Sequence, residues 1–191
     1  MGDGRSLKTV VADTSALVSL AVPGADEGYD DETHPDPLVY LLSSCSVHVP
    51  ETVVAELENT AEYDDIHGAA AHNVLSARNH YAVENPYGRS DAPDARPTLG
   101  LNDSETDCVV LANVLGADAL IADEFGDDSF ALLHAALNTS ALLTTPSLLR
   151  DYVRNGHMSG EEARHVIETV ASHRSWEENP YVELILDSLE D

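Results

Sequence analysis

Short β-branched runs and longer stretches with helical spacing alternate along this chain, and their order predicts its fold class. Residues 8–12, KTVVA, read as a buried strand ending at Asp13, because an unbroken apolar run of this length suits a strand covered on both faces. A tight turn capped by Thr14 or Ser15 follows, then a short helix over TSALVSLA. Residues 22–37 are rich in Gly, Pro and acid and predict a surface loop. PLVYLLSSC predicts a helix opened by proline, and CSVHV a second strand. Pro50 then opens a helix over ETVVAELENTAEY whose inward stripe is Val53, Val54 and Leu57. A further helix is expected over 65–80, and a second loop with three prolines over 84–98.

From Leu101 the signals sharpen. LNDSETDCVVLANVLG predicts a helix with Asp103 or Ser104 as N-cap, Val110, Leu111 and Val114 as apolar positions and Gly116 as its stop. ADALIAD predicts a strand that again ends in an acid, Asp123. FALLHAALN then predicts a helix, SALLTT a short strand, and Thr145-Pro146 the start of a helix reaching Gly156. A capping box at Ser159 and Glu162, and Asn179-Pro180, launch two more helices. Strands separated by one or two helices imply an α/β fold: a three-layer α/β/α sandwich around a mostly parallel sheet, with a helical C-terminal extension. The apolar stripe of Leu148, Leu149 and Val153 suits either a homodimer contact or folding back onto the same domain.

Composition changes this picture in one respect. The 191 residues include 35 Asp and Glu against 9 Lys and Arg, a formal charge of -26. Lys8 is the sole lysine. Such a surface resembles that of proteins adapted to molar salt, where the Debye length falls to about 3 Å and self-repulsion is screened. Any single carboxylate is therefore expected to be a solvated surface group unless its place in the fold says otherwise. No run is long and apolar enough for a membrane span, and the first ten residues lack the apolar stretch of a signal peptide, so no membrane partner and a cytoplasmic location are expected. Cys45 and Cys108 stand apart in apolar surroundings and read as buried thiols. The nine histidines show no ligand pairing; His67 and His72, five apart, do not share a helical face. Asp127 and Asp128 read as cap and surface residues.

In a parallel sheet, ligands bind at the carboxyl ends of the strands. Asp13 and Asp123 fall there, while Glu56 and Asp107 lie on helices that could bring them to the same edge. Clustered carboxylates raise one another's pKa unless a cation neutralises them. Oxygen-only ligation selects Mg²⁺ or Mn²⁺, which suits phosphodiester hydrolysis.

The run VVADTSAL, the pattern in PETVVAEL, and LNDSETDCVVLANVLGADALIADE, in that order, resemble the PIN-domain nucleases, and within them the VapC-type toxin ribonucleases. The likeness covers about residues 8–145. It implies a PIN-like nuclease domain over 1–145, with 146–191 as a helical extension packed on it. It further implies an RNA substrate, an antitoxin partner protein, and Asp13, Glu56 and Asp107 as successive metal-site acids. The fourth acid stays open: family spacing favours Glu124 and the strand end favours Asp123, where Ala122 replaces the family's threonine. Thr14 or Ser15 would orient Asp13, and Glu105 would add charge at the rim.

Other classes fit less well. A phosphoacceptor receiver needs a lysine after a late strand, and a haloacid-dehalogenase-type phosphatase needs an acid at position 15, which is Ser15. A PIN-like module without catalysis, serving RNA binding or assembly, is the main alternative. Arg78, Arg89, Arg96, Arg150 and Arg154 are the candidates for a positive strip along RNA.

Overall fold

The computed structural model describes residues 7–29, 34–125 and 128–189. Asp127, read as a cap, lies outside them. In chain order the elements are β1 (Thr9–Ala12), α1 (Thr14–Ala21), α2 (Pro37–Ser44), β2 (Ser46–Pro50), α3 (Glu51–Thr60) and α4 (Ile66–Ser76). There follow β3 (Ala82–Glu84), α5 (Asp103–Leu115), β4 (Ala119–Ile121), α6 (Asp128–Ala136), β5 (Ala141–Leu143), α7 (Thr145–Arg154), α8 (Gly160–Arg174) and α9 (Pro180–Asp187).

The five strands form one sheet in the order β3-β2-β1-β4-β5, and every neighbouring pair is parallel. This is the α/β sandwich that the alternation of strand and helix signals predicts. β1 lies at the centre, with Val10 opposite Val47 on one side and Ala119 on the other. Val10, Val11 and Ala12 are wholly buried, so the unbroken apolar run reflects helices on both faces of the strand.

Local signals set most boundaries, with three departures. Residues 82–84, expected in a helix-to-loop passage, form the edge strand β3; three half-exposed or exposed residues carry no periodicity to read. Asp13 itself, rather than Thr14 or Ser15, is the N-cap of α1. Asn102, rather than Asp103 or Ser104, caps α5, and it shares a reciprocal capping box with Glu105. Asn102 wins because its short amide can accept the Glu105 N–H while the glutamate reaches back to the Asn102 N–H. Gly116 ends α5 at φ 59, a left-handed conformation that favours glycine.

The C-terminal helices share the core of the sheet. Leu148 and Leu149 on α7, Val166 and Ile167 on α8, and Val182 and Ile185 on α9 are buried in the same cluster as β1. Asp128 is exposed in the first turn of α6. Among the described residues no helix is long and apolar enough to cross a membrane.

Candidate functional site

The chain leaves β1 for β2 and β3 on one side of the sheet, then returns to lay β4 and β5 on the other. Strand order therefore reverses between β1 and β4, and their carboxyl ends flank the crevice where doubly wound sheets take ligands. Asp13 follows β1 directly, and Asp123 and Glu124 follow β4. The Asp13 N–H donates to the Ile121 carbonyl at 2.9 Å.

Asp13 is 5% exposed. Its Oδ2 accepts the Ser15 hydroxyl at 2.7 Å and the Ser15 N–H at 3.2 Å, and the Cys108 thiol lies 3.7 Å from its Oδ1. The Ser15 hydroxyl also accepts the Asp123 N–H at 3.0 Å, pinning the ends of β1 and β4 together. Burial pushes the Asp13 carboxyl up, the Ser15 bonds oppose it, and the charge of Glu56 adds to the rise. Burial likewise drives the Cys108 thiol far up, so it stays protonated.

Glu56, on α3, is held at both oxygens: the Thr14 hydroxyl donates to Oε2 and the Ser104 hydroxyl to Oε1, each at 2.6 Å. Ser15 thus orients Asp13, whereas Thr14 orients Glu56. Ser104 does so from the first turn of α5, a role that its reading as a helix cap had hidden.

Asp107 is placed at the same edge but is already partnered. Arg96 donates through Nε and Nη2 to its two oxygens at 2.8 Å each, Tyr87 donates at 2.5 Å and Thr52 at 3.0 Å. Burial pulls the Asp107 carboxyl upward, but Arg96, Tyr87 and Thr52 outweigh it and hold it below the usual range. Burial and the Asp107 carboxylate in turn push the Tyr87 hydroxyl up to about 12. Tyr87 and Thr52 carried no signal in the sequence beyond lying in a loop and on a helix.

The two residues after β4 divide sharply. Asp123 accepts the Thr145 N–H and hydroxyl, both at 2.7 Å, and so ties β4 to the start of α7. Burial raises its pKa and the Thr145 bonds oppose the rise. Glu124 is half-buried and is pushed up to about 7, first by burial and then by the charges of Asp13, Glu105 and Asp123, with Arg174 opposing. Both are raised by burial, and Glu124 is the one to which neighbouring acids add further repulsion. Glu105 is buried, and its Oε2 accepts the Asn102 N–H at 2.9 Å.

The structure therefore brings Asp13 within electrostatic reach of Glu56 and Glu124, and Glu124 within reach of Glu105 and Asp123, while Asp107 is paired with Arg96 and both oxygens of Asp123 accept from Thr145. Among the described residues no three His, Cys, Asp or Glu side chains converge closely enough to form a metal-holding group. The donor chemistry still suits a hard divalent cation: all the donors are carboxylate oxygens, and repulsion from neighbouring acids adds to burial in raising Asp13 and Glu124.

Four of the five arginines read as a positive strip are engaged with neighbouring groups. Arg78 donates to the Tyr81 carbonyl, Arg89 pairs with Glu84, Arg96 bridges Asp103 and Asp107, and Arg154 lies 3.9 Å from Asp151. Arg174, in the last turn of α8, opposes the rise of Asp123 and Glu124, and its Nη2 lies 3.5 Å from the Ser15 carbonyl. No protein-family model matches the chain, and no curated protein matches it either.

Proposed function

We propose that this protein is a divalent-metal-dependent endoribonuclease that hydrolyses RNA phosphodiester bonds. One observation carries the reading: the buried Asp13 carboxylate stands at the strand-order reversal with Glu56 and Glu124 repelling it, and Arg174 offsets the charge of Glu124 only in part. Asp13 and Glu124 would hold Mg²⁺ or Mn²⁺, with Glu56 and Glu105 adding negative charge around it. When bound, such an ion polarises a phosphoryl oxygen and acidifies a water for in-line attack. Ser15 fixes the rotamer of Asp13, and Thr14 and Ser104 fix Glu56 where it can accept a proton from the attacking water. The likeness to VapC-type ribonucleases suggests the toxin of a toxin–antitoxin pair, acting in the cytoplasm. Synthetic RNA incubated in multimolar KCl with Mn²⁺ or Mg²⁺ tests this: cleavage by the wild type and its loss in Asp13→Asn support the reading, and equal activity in both removes it.

A second reading is favoured by the pairing of Asp107 with Arg96 and of Asp123 with Thr145. In a PIN-like module without catalysis these acids serve architecture alone, and the domain binds RNA or a protein. Calorimetric titration with Mn²⁺ at high salt separates the two, since absence of site-specific binding supports the second.

A further inference from the structure

The chain contains only two phenylalanines and one tryptophan, and all three gather next to Glu124. Phe125, the following residue, meets Trp176 edge to face with centroids 4.7 Å apart, and lies 5.6 Å from Tyr181 at a tilt of 35°. Phe125, Phe130, Thr144 and Tyr181 line a solvent-open cavity of about 100 Å³. That is well below the roughly 300–1,000 Å³ of pockets for drug-sized ligands, so it suits one flat ring system rather than a whole nucleotide. Trp176 is buried behind Phe125, whereas Phe125, Phe130 and Tyr181 are half-exposed. The Thr144 and Tyr181 hydroxyls, 3.1 Å apart, supply the polar atoms of the cavity. The Arg174 guanidinium sits 5.8 Å from the Trp176 ring centroid, on the side of the acids whose charge it opposes.

We propose that this cleft is a base-stacking subsite that takes an unpaired nucleobase of single-stranded RNA beside the acidic cluster. The inference rests on the nuclease reading for its substrate class. Its warrant is energetic. A surface of charge -26 cannot recruit a polyanion by counterion release, and molar salt removes that contribution further. Stacking on aromatic rings depends little on salt screening and contributes about 1–3 kcal/mol per base. A flat apolar slot fits the faces of a base, the half-buried Tyr181 hydroxyl stands at its polar edge while the Thr144 hydroxyl is taken up in the cap of α7, and Arg174 offers one positive charge for the attached phosphate. An aromatic seam that merely fastens α9 to β5 would not require two half-exposed phenylalanines at its mouth.

Fluorescence anisotropy in multimolar KCl with EDTA tests the subsite. The protein is Asp13→Asn, to prevent cleavage, and the probes are a labelled ribo-oligonucleotide and its abasic counterpart. The base-bearing strand is expected to bind more tightly than the abasic one. Phe130→Leu, and separately Phe125→Leu, should weaken the base-bearing strand about 5- to 150-fold, the conversion of that stacking energy. Phe130→Leu lies at the half-exposed mouth and keeps the buried Trp176–Phe125 contact, so an unchanged melting temperature secures its fold. Equal affinity for the two strands, or no change in Phe130→Leu, overturns the proposal. Base-dependent binding with no hydrolysis by the wild type keeps the subsite and removes the nuclease reading; hydrolysis without base dependence does the reverse.

Discussion

Arg96 clasps Asp107 through two N–H···O bonds of 2.8 Å each, in the two-pronged geometry that guanidinium and carboxylate share. The pair also reaches Asp103 at 2.6 Å. Asp107 is thereby stabilised in its charged form, and its folded pKa lies below the unfolded value. Stability from the pair is present above the ordinary aspartate range and is lost as pH falls through the folded value. Arg96→Gln is expected to destabilise the protein at pH 7, by an amount that solvent screening of the partly exposed guanidinium keeps small. Urea unfolding of the two proteins along an acid series should show the gap closing at low pH; a gap independent of pH would mean that packing, not charge, carries the effect.

Glu124 gives the opposite sign. Its folded pKa, about 7, is raised above the ordinary glutamate value of 4.5, so folding favours the protonated form. Its contribution is full below about 4.5 and is lost as pH rises through about 7. Glu124→Gln should therefore raise the melting temperature at pH 8 by about 2–4 °C, equivalent to about 1 kcal/mol after allowance for solvent screening. Near pH 4 it should leave the melting temperature unchanged. Mn²⁺ added at pH 8 is expected to stabilise the wild type and not this variant, as read by calorimetry.

Asp123 separates architecture from chemistry. Both its oxygens are engaged by Thr145, so Asp123→Ala removes the anchor between β4 and α7 at an expected cost of about 1–3 kcal/mol. RNA hydrolysis measured well below the lowered melting temperature should stay within severalfold of wild type. A loss as deep as that of Asp13→Asn would return Asp123 to the reacting group.

Salt should act on the whole molecule. With a charge of -26, repulsion operates over a Debye length of about 10 Å at 0.1 M salt and about 3 Å at 1 M. The melting temperature is expected to climb between dilute buffer and multimolar KCl. A flat response would show that the acids are spaced widely enough not to repel.

The architecture was readable because β1, α8, α5 and α7 carry strong, agreeing local signals: an unbroken apolar strand, a capping box, a terminal glycine, a proline at a helix start. β3 was not, since three edge residues have no pattern of their own. The acids at the sheet edge could be named from strand ends and helix positions, but their company could not. Asp107 and Glu124 look equally available in the sequence. What distinguishes them is a loop arginine eleven residues before one and a crowd of like charges around the other, and both depend on long-range packing. Arg174 and the aromatic group beside Glu124 join segments some fifty residues apart, a separation that periodicity does not register.

The bond from the Asp13 amide to the Ile121 carbonyl makes this acid the last rung of the central β1–β4 ladder. Its amide proton can exchange with solvent only when the middle of the sheet opens, so it belongs with the slowest-exchanging group of the protein. Thermal unfolding at this position then has no shortcut through a local fluctuation: it must follow the rate at which the sheet itself comes apart.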